Sequence, residues 1–453
     1  MAQENTKTEL FETMPIPKAV GQMCVPMVIT SLVTVVYNMA DTYFVGLLGD
    51  PVQSAAVTLA YPVVLAFYAM NNLFGVGSSS LMSRALGQQD FERAKNAAAF
   101  GFWGAVFSGL LYSLVCAVFQ GPLLGLLGAD GTTRQATMNY MFWVVTCGAM
   151  PTILNVVQGQ LVRSEGAAVH ASIGTMSGCI LNIILDPIFI LPWGLNMGAA
   201  GAGLATFLSN CVACLYFIVL AVSKRGKTVV SMDVRRLRHM PPSVMKNVLA
   251  VGVPAAIQNL LNVVGSTILN NFTAAYGAVA VAAMGVSTRL IQISQQISMG
   301  ISQGIMPLTS YSYASGNYKR MKGIIYFGMG ADVLVCLVLT AVYWLFAGPL
   351  VQLFMNNAEV VTYGALFLRG ACLAIPFLAV DFTCVFVFQS VGMGGTTLIL
   401  ALCRKVALEI PLLLVTNLLF PLYGLPYAQP ITESVLAAAG LLLLRRVLKK
   451  NGV

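Results

Sequence analysis

Charge is what this sequence has least of. Its 453 residues include 16 acidic and 25 basic side chains, 9% of the chain, against about 25% in ordinary soluble domains. That excludes a water-solvated globular surface. Histidine occurs only twice, at His170 and His239, with no clustered ligands beside either, so a histidine-based metal centre is excluded and both read as solvated loop residues. No GxxxxGK[ST] phosphate loop occurs, which removes the Walker-type route to ATP hydrolysis. The N-terminus, MAQENTKTELFETMPIPK, is polar and partly acidic and lacks the basic, apolar and small-residue order of a cleaved leader, so the first span is expected to direct insertion itself. Ten cysteines are scattered singly apart from one CxxC at Cys211 and Cys214. Without a second pair or a nearby His, these read as small packing residues.

What remains is apolar: 58% of the residues are hydrophobic. Apolar runs fall at 18–46, 53–82, 94–119, 135–161, 168–191, 198–222, 246–272, 279–311, 321–347, 360–390, 394–419 and 425–444, each near or above the ~20 residues a helix needs to cross a bilayer. The expected fold is therefore all-α, a polytopic membrane protein of twelve transmembrane helices. Its basic residues test that count. Arg84, Arg93 and Lys95 follow the second run, Arg163 the fourth, six basic residues from Lys224 to Arg238 the sixth, Lys319, Arg320 and Lys322 the eighth, and Arg445 to Lys450 the twelfth. Loops after odd runs hold little beyond Arg134. Positive charge marks the cytoplasmic side, so both termini and the even loops are expected there, in a multi-pass protein of the cell (plasma) inner membrane. The net charge of +9 is thus topological, and nucleic acid is not an expected partner.

The halves repeat. VPMVITSLVTVVYNMADTYFVGLLG at 25–49 lies over VPAAIQNLLNVVGSTILNNFTAAYG at 253–277, and GVGSSSLMSRALGQQDFERAK at 75–95 over GIMPLTSYSYASGNYKRMK at 304–322. This divides the chain into an N-terminal lobe (1–222), a basic cytoplasmic linker (223–245) and a C-terminal lobe (246–453). Six spans per repeat is an even number, so both repeats enter from the same side, and the expected arrangement is two pseudo-symmetric lobes around a central cavity.

Acids inside such runs are costly and mark ion or substrate pathways. Asp41 is the only acid between Pro26 and Gly49, with Asn38 and Tyr37 three and four residues before it on the same helix face. The plainer alternative is a helix-end carboxylate at the interface. In LNIILDPIFI, Asp186 has Asn182 one turn earlier, and Pro187 leaves a backbone carbonyl unpaired; a helix-end Asp-Pro turn is the alternative. Oxygen ligands of this kind suit a proton or Na⁺, with Asp41, Asn182 and Asp186 the candidate Na⁺ ligands. Asn155, beyond Pro151, can face the same cavity or make an interhelical hydrogen bond. In the second half Asp381 is the second candidate cation site, balanced against a satisfied buried polar group. Arg404, Lys405 and Glu409 read as a structural ion-pair cluster near the cytoplasmic end, and Asp332 and Glu433 as interfacial or helix-packing acids.

Together, twelve spans, two repeats, the Asp in PMVITSLVTVVYNMADTYFVGLLG, the SRALGQQDFERAK turn, NIILDPIFI followed by GAAGAGLATFLSN, and the PLTSYSYASGNYKRMK turn resemble the multidrug and toxic compound extrusion (MATE) family, over nearly the whole chain. The resemblance implies a V-shaped pair of helical lobes performing multidrug efflux: cationic or amphipathic small molecules are exported by antiport with H⁺ or Na⁺ through alternating access. It also implies that Asp41, Asn155, Asn182 and Asp186 form an ion-responsive cluster. The seventh span lacks the acid found in the NorM-type branch, which weakens a C-lobe site at Asp381, and the chain looks closer to MepA-like members. On this reading the protein is not an enzyme, takes no cofactor beyond its coupling ion, lies in membrane lipid and functions as a monomer, with Pro26 the point about which the first helix bends. The alternatives are a lipid-linked precursor flippase of the same superfamily, an intramembrane enzyme using Asp41 and Asp186 as a dyad, and a channel.

Overall fold

The computed structural model describes residues 9–129, 131–355 and 357–452; the first eight residues of the polar N-terminus lie outside them. Among the described residues there is no strand, and, with short helices at Gln120–Leu126, Arg235–Arg238 and Ala347–Gln352 between them, twelve long helical runs follow one another. They are α1 (Ile16–Gly46), α2 (Pro51–Gly87), α3 (Phe91–Val118), α4 (Arg134–Cys147 with Ala149–Ser164), α5 (Ala168–Ile190), α6 (Ala199–Ser223), α7 (Pro242–Ala274), α8 (Ala278–Ala314), α9 (Tyr318–Leu345), α10 (Ala358–Ser390), α11 (394–419) and α12 (Leu425–Lys450). Each coincides with one apolar run of the sequence. In lipid a helix satisfies its own backbone, which is why such runs have no other regular option.

Eight of these helices are long and apolar enough to cross a membrane by composition alone, and α4, bent by 46°, makes nine. The other three are diluted by polar residues with structural partners or a cavity to face. α8 carries Arg289 and four glutamines, α11 carries Arg404, Lys405 and Glu409, and α12 carries Glu433 and a basic end. The all-α fold expected from the apolar runs is thus the one observed among the described residues.

Local signals start the helices. Asp50 precedes Pro51 and accepts from Val52 N at 2.9 Å, which caps α2. The repeated basic turns are capped alike: Asp90 accepts from Arg93 N at 3.0 Å, and Asn317 from Arg320 N at 3.1 Å. The sequence repeat is thus a repeat of hydrogen bonds. Pro26 in α1 and Pro254 in α7 lie inside their helices at matching positions.

Two compact units emerge, and the division passes through both of those helices. One unit is built from Ile29–Ala256, the other from Phe11–Val28 together with the chain from Ile257 onward. The first unit packs a core rich in small residues, including Ala94, Ala97, Ala98, Ala105, Ala199 and Ala202, which lets helices approach closely where lipid offers no hydrophobic drive. Large side chains such as Leu110, Leu111, Leu114 and Val118 of α3 are exposed, a surface suited to lipid. The basic segment after α6 packs onto the same unit: Glu165 accepts from Thr228 Oγ1 at 2.9 Å and Val229 N at 3.2 Å, Arg236 donates to Glu92 at 2.8 Å and Asn96 at 3.0 Å, and Trp103 Nε1 donates to the Met232 carbonyl at 3.1 Å.

Two helices approach very closely at Gly252 of α7, where a Cβ would stand 2.0 Å from the Leu73 carbonyl oxygen of α2. Backbone cannot yield by that much. Gly252→Val is expected to lower the thermal midpoint of the purified protein sharply, by the equivalent of about 3 kcal/mol or more; an unchanged midpoint would refute this close approach.

Candidate functional site: a carboxylate and amide cluster in the first unit

Four helices of the first unit bring their polar side chains together. On α5, Asn182 and Asp186 are one turn apart and both buried. The Asn182 amide nitrogen donates to Asp186 Oδ2 at 2.8 Å, while its oxygen accepts from Thr206 Oγ1 at 3.3 Å and Thr206 N at 3.1 Å. On α6, Asn210 Nδ2 donates back to the Thr206 carbonyl at 2.8 Å, and Asn210 Oδ1 accepts from Asn155 Nδ2 of α4 at 3.1 Å. Asn155 is buried as well. From α1, the Tyr37 hydroxyl reaches Thr206. A continuous polar chain therefore runs Asp186, Asn182, Thr206, Asn210, Asn155, with Tyr37 joining at Thr206.

Asp41, also on α1, lies within electrostatic reach of Tyr37, Tyr140 and Asp186. Its Oδ1 is shielded and has no hydrogen-bond partner among the described residues. Neither Asp41 nor Asp186 has an ion pair among the described residues, unlike Glu92, Asp381, Glu409 and Glu433. Two carboxylates in mutual reach, away from water and without a basic partner, cannot both stay ionised at low cost. A proton or a monovalent cation relieves them, and oxygens from Asp41, Asp186 and Asn182 are of the hard type Na⁺ takes.

Tyr37, Asp41, Asn155, Asn182 and Asp186 thus converge. Asn38 does not join them: it is exposed, and its carbonyl accepts from Thr42 Oγ1 at 3.0 Å. Pro26 is half-buried in α1, shortly before the helix passes from one unit to the other at Ile29. The sequence reading missed Tyr140, Thr206 and Asn210. Thr206 and Asn210 stand four apart in GAAGAGLATFLSN, a spacing that puts a hydroxyl and an amide on one helix face and was there to be read. Tyr140 carried no such signal.

The second unit treats its acids differently. Asp381 Oδ2 lies 3.3 Å from Arg404 Nη1, and Arg404 Nη2 donates to Glu433 Oε1. All three are buried, with the guanidinium 5.6 Å from the centre of the Phe382 ring. Glu433 is therefore a helix-packing acid, one of the two readings its sequence allowed, and Arg404 sits near the middle of α11. The three charges neutralise one another on helices far apart in sequence. Lys405 pairs with Glu409 as its spacing indicates, at 2.6 and 2.8 Å. The lack of a side chain at Gly265 leaves room for that pair, since a Cβ there would stand 2.9 Å from Lys405 Nζ. The pair borders a cavity of about 200 Å³ with Asn262, Ser266, Gln295 and Gln429. His170 is not a free loop residue. It opens α5, with Nδ1 3.1 Å from the Tyr216 hydroxyl and Nε2 3.0 Å from Lys224 Nζ. Cys214 donates to the Pro151 carbonyl at 3.1 Å. No group of three or more His, Cys, Asp or Glu side chains is arranged to hold a metal among the described residues.

A helical protein with many apolar spans, two sequence repeats and a carboxylate cluster without ion pairs among the described residues has the architecture of a polytopic membrane protein. The chain belongs to the MatE family, whose model matches residues 26–188 and 254–415, one match in each repeat and each beginning at the proline of a Val-Pro pair. It is 33% identical over 436 residues to the multidrug export protein MepA of Staphylococcus aureus (strain MRSA252), across 96% of this chain and 94% of that protein. It also matches a crystal structure of MATE in complex with MaL6, with a TM-score of 0.91, 25% identity and 98% of each chain covered. A third match is the outward-facing conformation of a multidrug resistance MATE family transporter of the MOP superfamily, at a TM-score of 0.91, 26% identity and 98% coverage of both chains.

Proposed function

We propose that this protein is a secondary active multidrug exporter, extruding cationic or amphipathic small molecules in antiport with H⁺ or Na⁺. The observation that carries this reading is the pair Asp41 and Asp186, within reach of each other with no basic side chain among the described residues paired to either. Such a pair takes up either the coupling cation or a positively charged substrate, and competition between the two is the simplest form of exchange. Cation uptake changes the hydrogen bonding of Asn182, Thr206 and Tyr37, and so biases α1 between two arrangements about Pro26. The coupling ion is cargo and not a resident cofactor, and one chain with two lobes suffices for alternating access. The basic even-numbered loops support cytoplasmic termini, which sets the direction of export.

The test is ethidium transport in proteoliposomes with pH and Na⁺ gradients imposed separately. One gradient is expected to drive ethidium against its own concentration difference; if neither does, the antiport reading fails. In the same assay Thr206→Val, which removes the hydroxyl joining Tyr37 to Asn182, is expected to slow export about tenfold without changing which gradient drives it, on the scale of one buried hydrogen bond. Unaltered rates in that variant would take Thr206 out of the mechanism.

A further inference from the structure

Away from helix ends, the spans of the second unit hold four acids: Asp332, Asp381, Glu409 and Glu433. Three have cationic partners, in Arg404 and Lys405. Asp332, in the middle of α9, has none among the described residues although it is fully buried. Its surroundings are hydroxyls from two neighbouring helices and a thiol of its own helix. Ser298 Oγ of α8 donates to Asp332 Oδ2 at 2.8 Å. Ser302, one turn on, is also within hydrogen-bond reach of the carboxylate and stands 3.4 Å from Thr383 Oγ1 of α10. Ser298, Ser302 and Thr383 are all fully buried. The ionisable groups facing Asp332 are thiols: Cys336, whose Sγ is 3.6 Å from Oδ1, and Cys24 of α1.

A lone carboxylate at this depth needs a counter-charge. Hydroxyls cannot supply one, but each can turn an oxygen lone pair to a cation while its hydrogen goes elsewhere. One carboxylate and three hydroxyls make a compact, hard, oxygen-rich set, and a single positive charge makes it neutral. We infer that Asp332, Ser298, Ser302 and Thr383 bind one Na⁺ in the second unit, at a site separate from Asp41 and Asp186.

The experiment needs no drug, so its outcome is independent of the export reading. Thermal midpoints of the purified full-length protein are measured as Na⁺ replaces choline at constant ionic strength, in a background carrying Asp41→Asn and Asp186→Asn to silence the first cluster. Na⁺ is expected to raise the midpoint along a saturating curve, as a ligand that binds only the folded state must. Adding Asp332→Asn should abolish the rise. Ser298→Ala and Ser302→Ala keep the charge and remove one oxygen each, and should raise the apparent Kd about tenfold, the equivalent of roughly 1.4 kcal/mol. The inference is overturned if the background variant shows no Na⁺-dependent rise, if its midpoint answers to pH but not to Na⁺, or if Asp332→Asn or both serine variants keep the full response.

Discussion

Asp41→Asn and Asp186→Asn are each expected to reduce gradient-driven ethidium export by about 100-fold, close to liposomes without protein. A factor of 100 corresponds to roughly 2.7 kcal/mol of lost cation affinity, in the range for removing a charge from a site that has no other way to hold its ion. The asparagine side chain keeps the shape and can still hydrogen-bond, so thermal midpoints should not fall. They should rise slightly, because an uncompensated buried charge has been taken away. The two substitutions are expected to be strongly non-additive, since carboxylates within reach of each other act as a pair. Initial rates with pH and Na⁺ gradients applied one at a time, for wild type, both single variants and the double variant, check this. Asp41→Asn exporting with unchanged gradient dependence would make that residue structural and send the search for coupling to Asp186 alone.

Arg404→Met is expected to have the largest effect on stability. Arg404 is the one basic side chain paired with both Asp381 and Glu433, and all three are buried. Removing it strands two carboxylates, and breaking a buried pair from one side costs about 3–5 kcal/mol. The loss should appear as a large drop in thermal midpoint and in yield of folded protein. Asp381→Asn together with Glu433→Gln should restore most of it, because the triple variant strands no charge. Recovery is the informative half of the test. If the triple variant is as unstable as Arg404→Met, the arginine acts through its packing against Phe382 and not through charge. From sequence Asp381, the only acid between Ala371 and Ser390, reads as a candidate second cation site balanced against a satisfied buried polar group. Its partner stands 23 residues further on in another helix, where no periodicity argument connects them.

The sequence by itself determined the transmembrane architecture and the repeat. Scarcity of charge, twelve apolar runs and basic residues concentrated in alternate loops leave a polytopic helical bundle as the only economical arrangement, because a backbone in lipid must satisfy itself locally. It also determined the i,i+4 pairs, Asn182 with Asp186 and Lys405 with Glu409, because helical spacing alone puts such residues on one face. Long-range partners were decided only in the tertiary structure. That Thr206 links Tyr37 to Asn182, that Asn38 turns away while Tyr37 turns in, that Glu433 meets Arg404 and that Asp332 meets hydroxyls and thiols but no cation among the described residues all depend on helix rotation and neighbour choice. Packing of small residues sets those, as at Gly252 against Leu73. The physical reason is one of range. Hydropathy and helical period act within one helix and are written along the chain, whereas the charge state of a buried acid is set by whichever side chain the neighbouring helix brings to it.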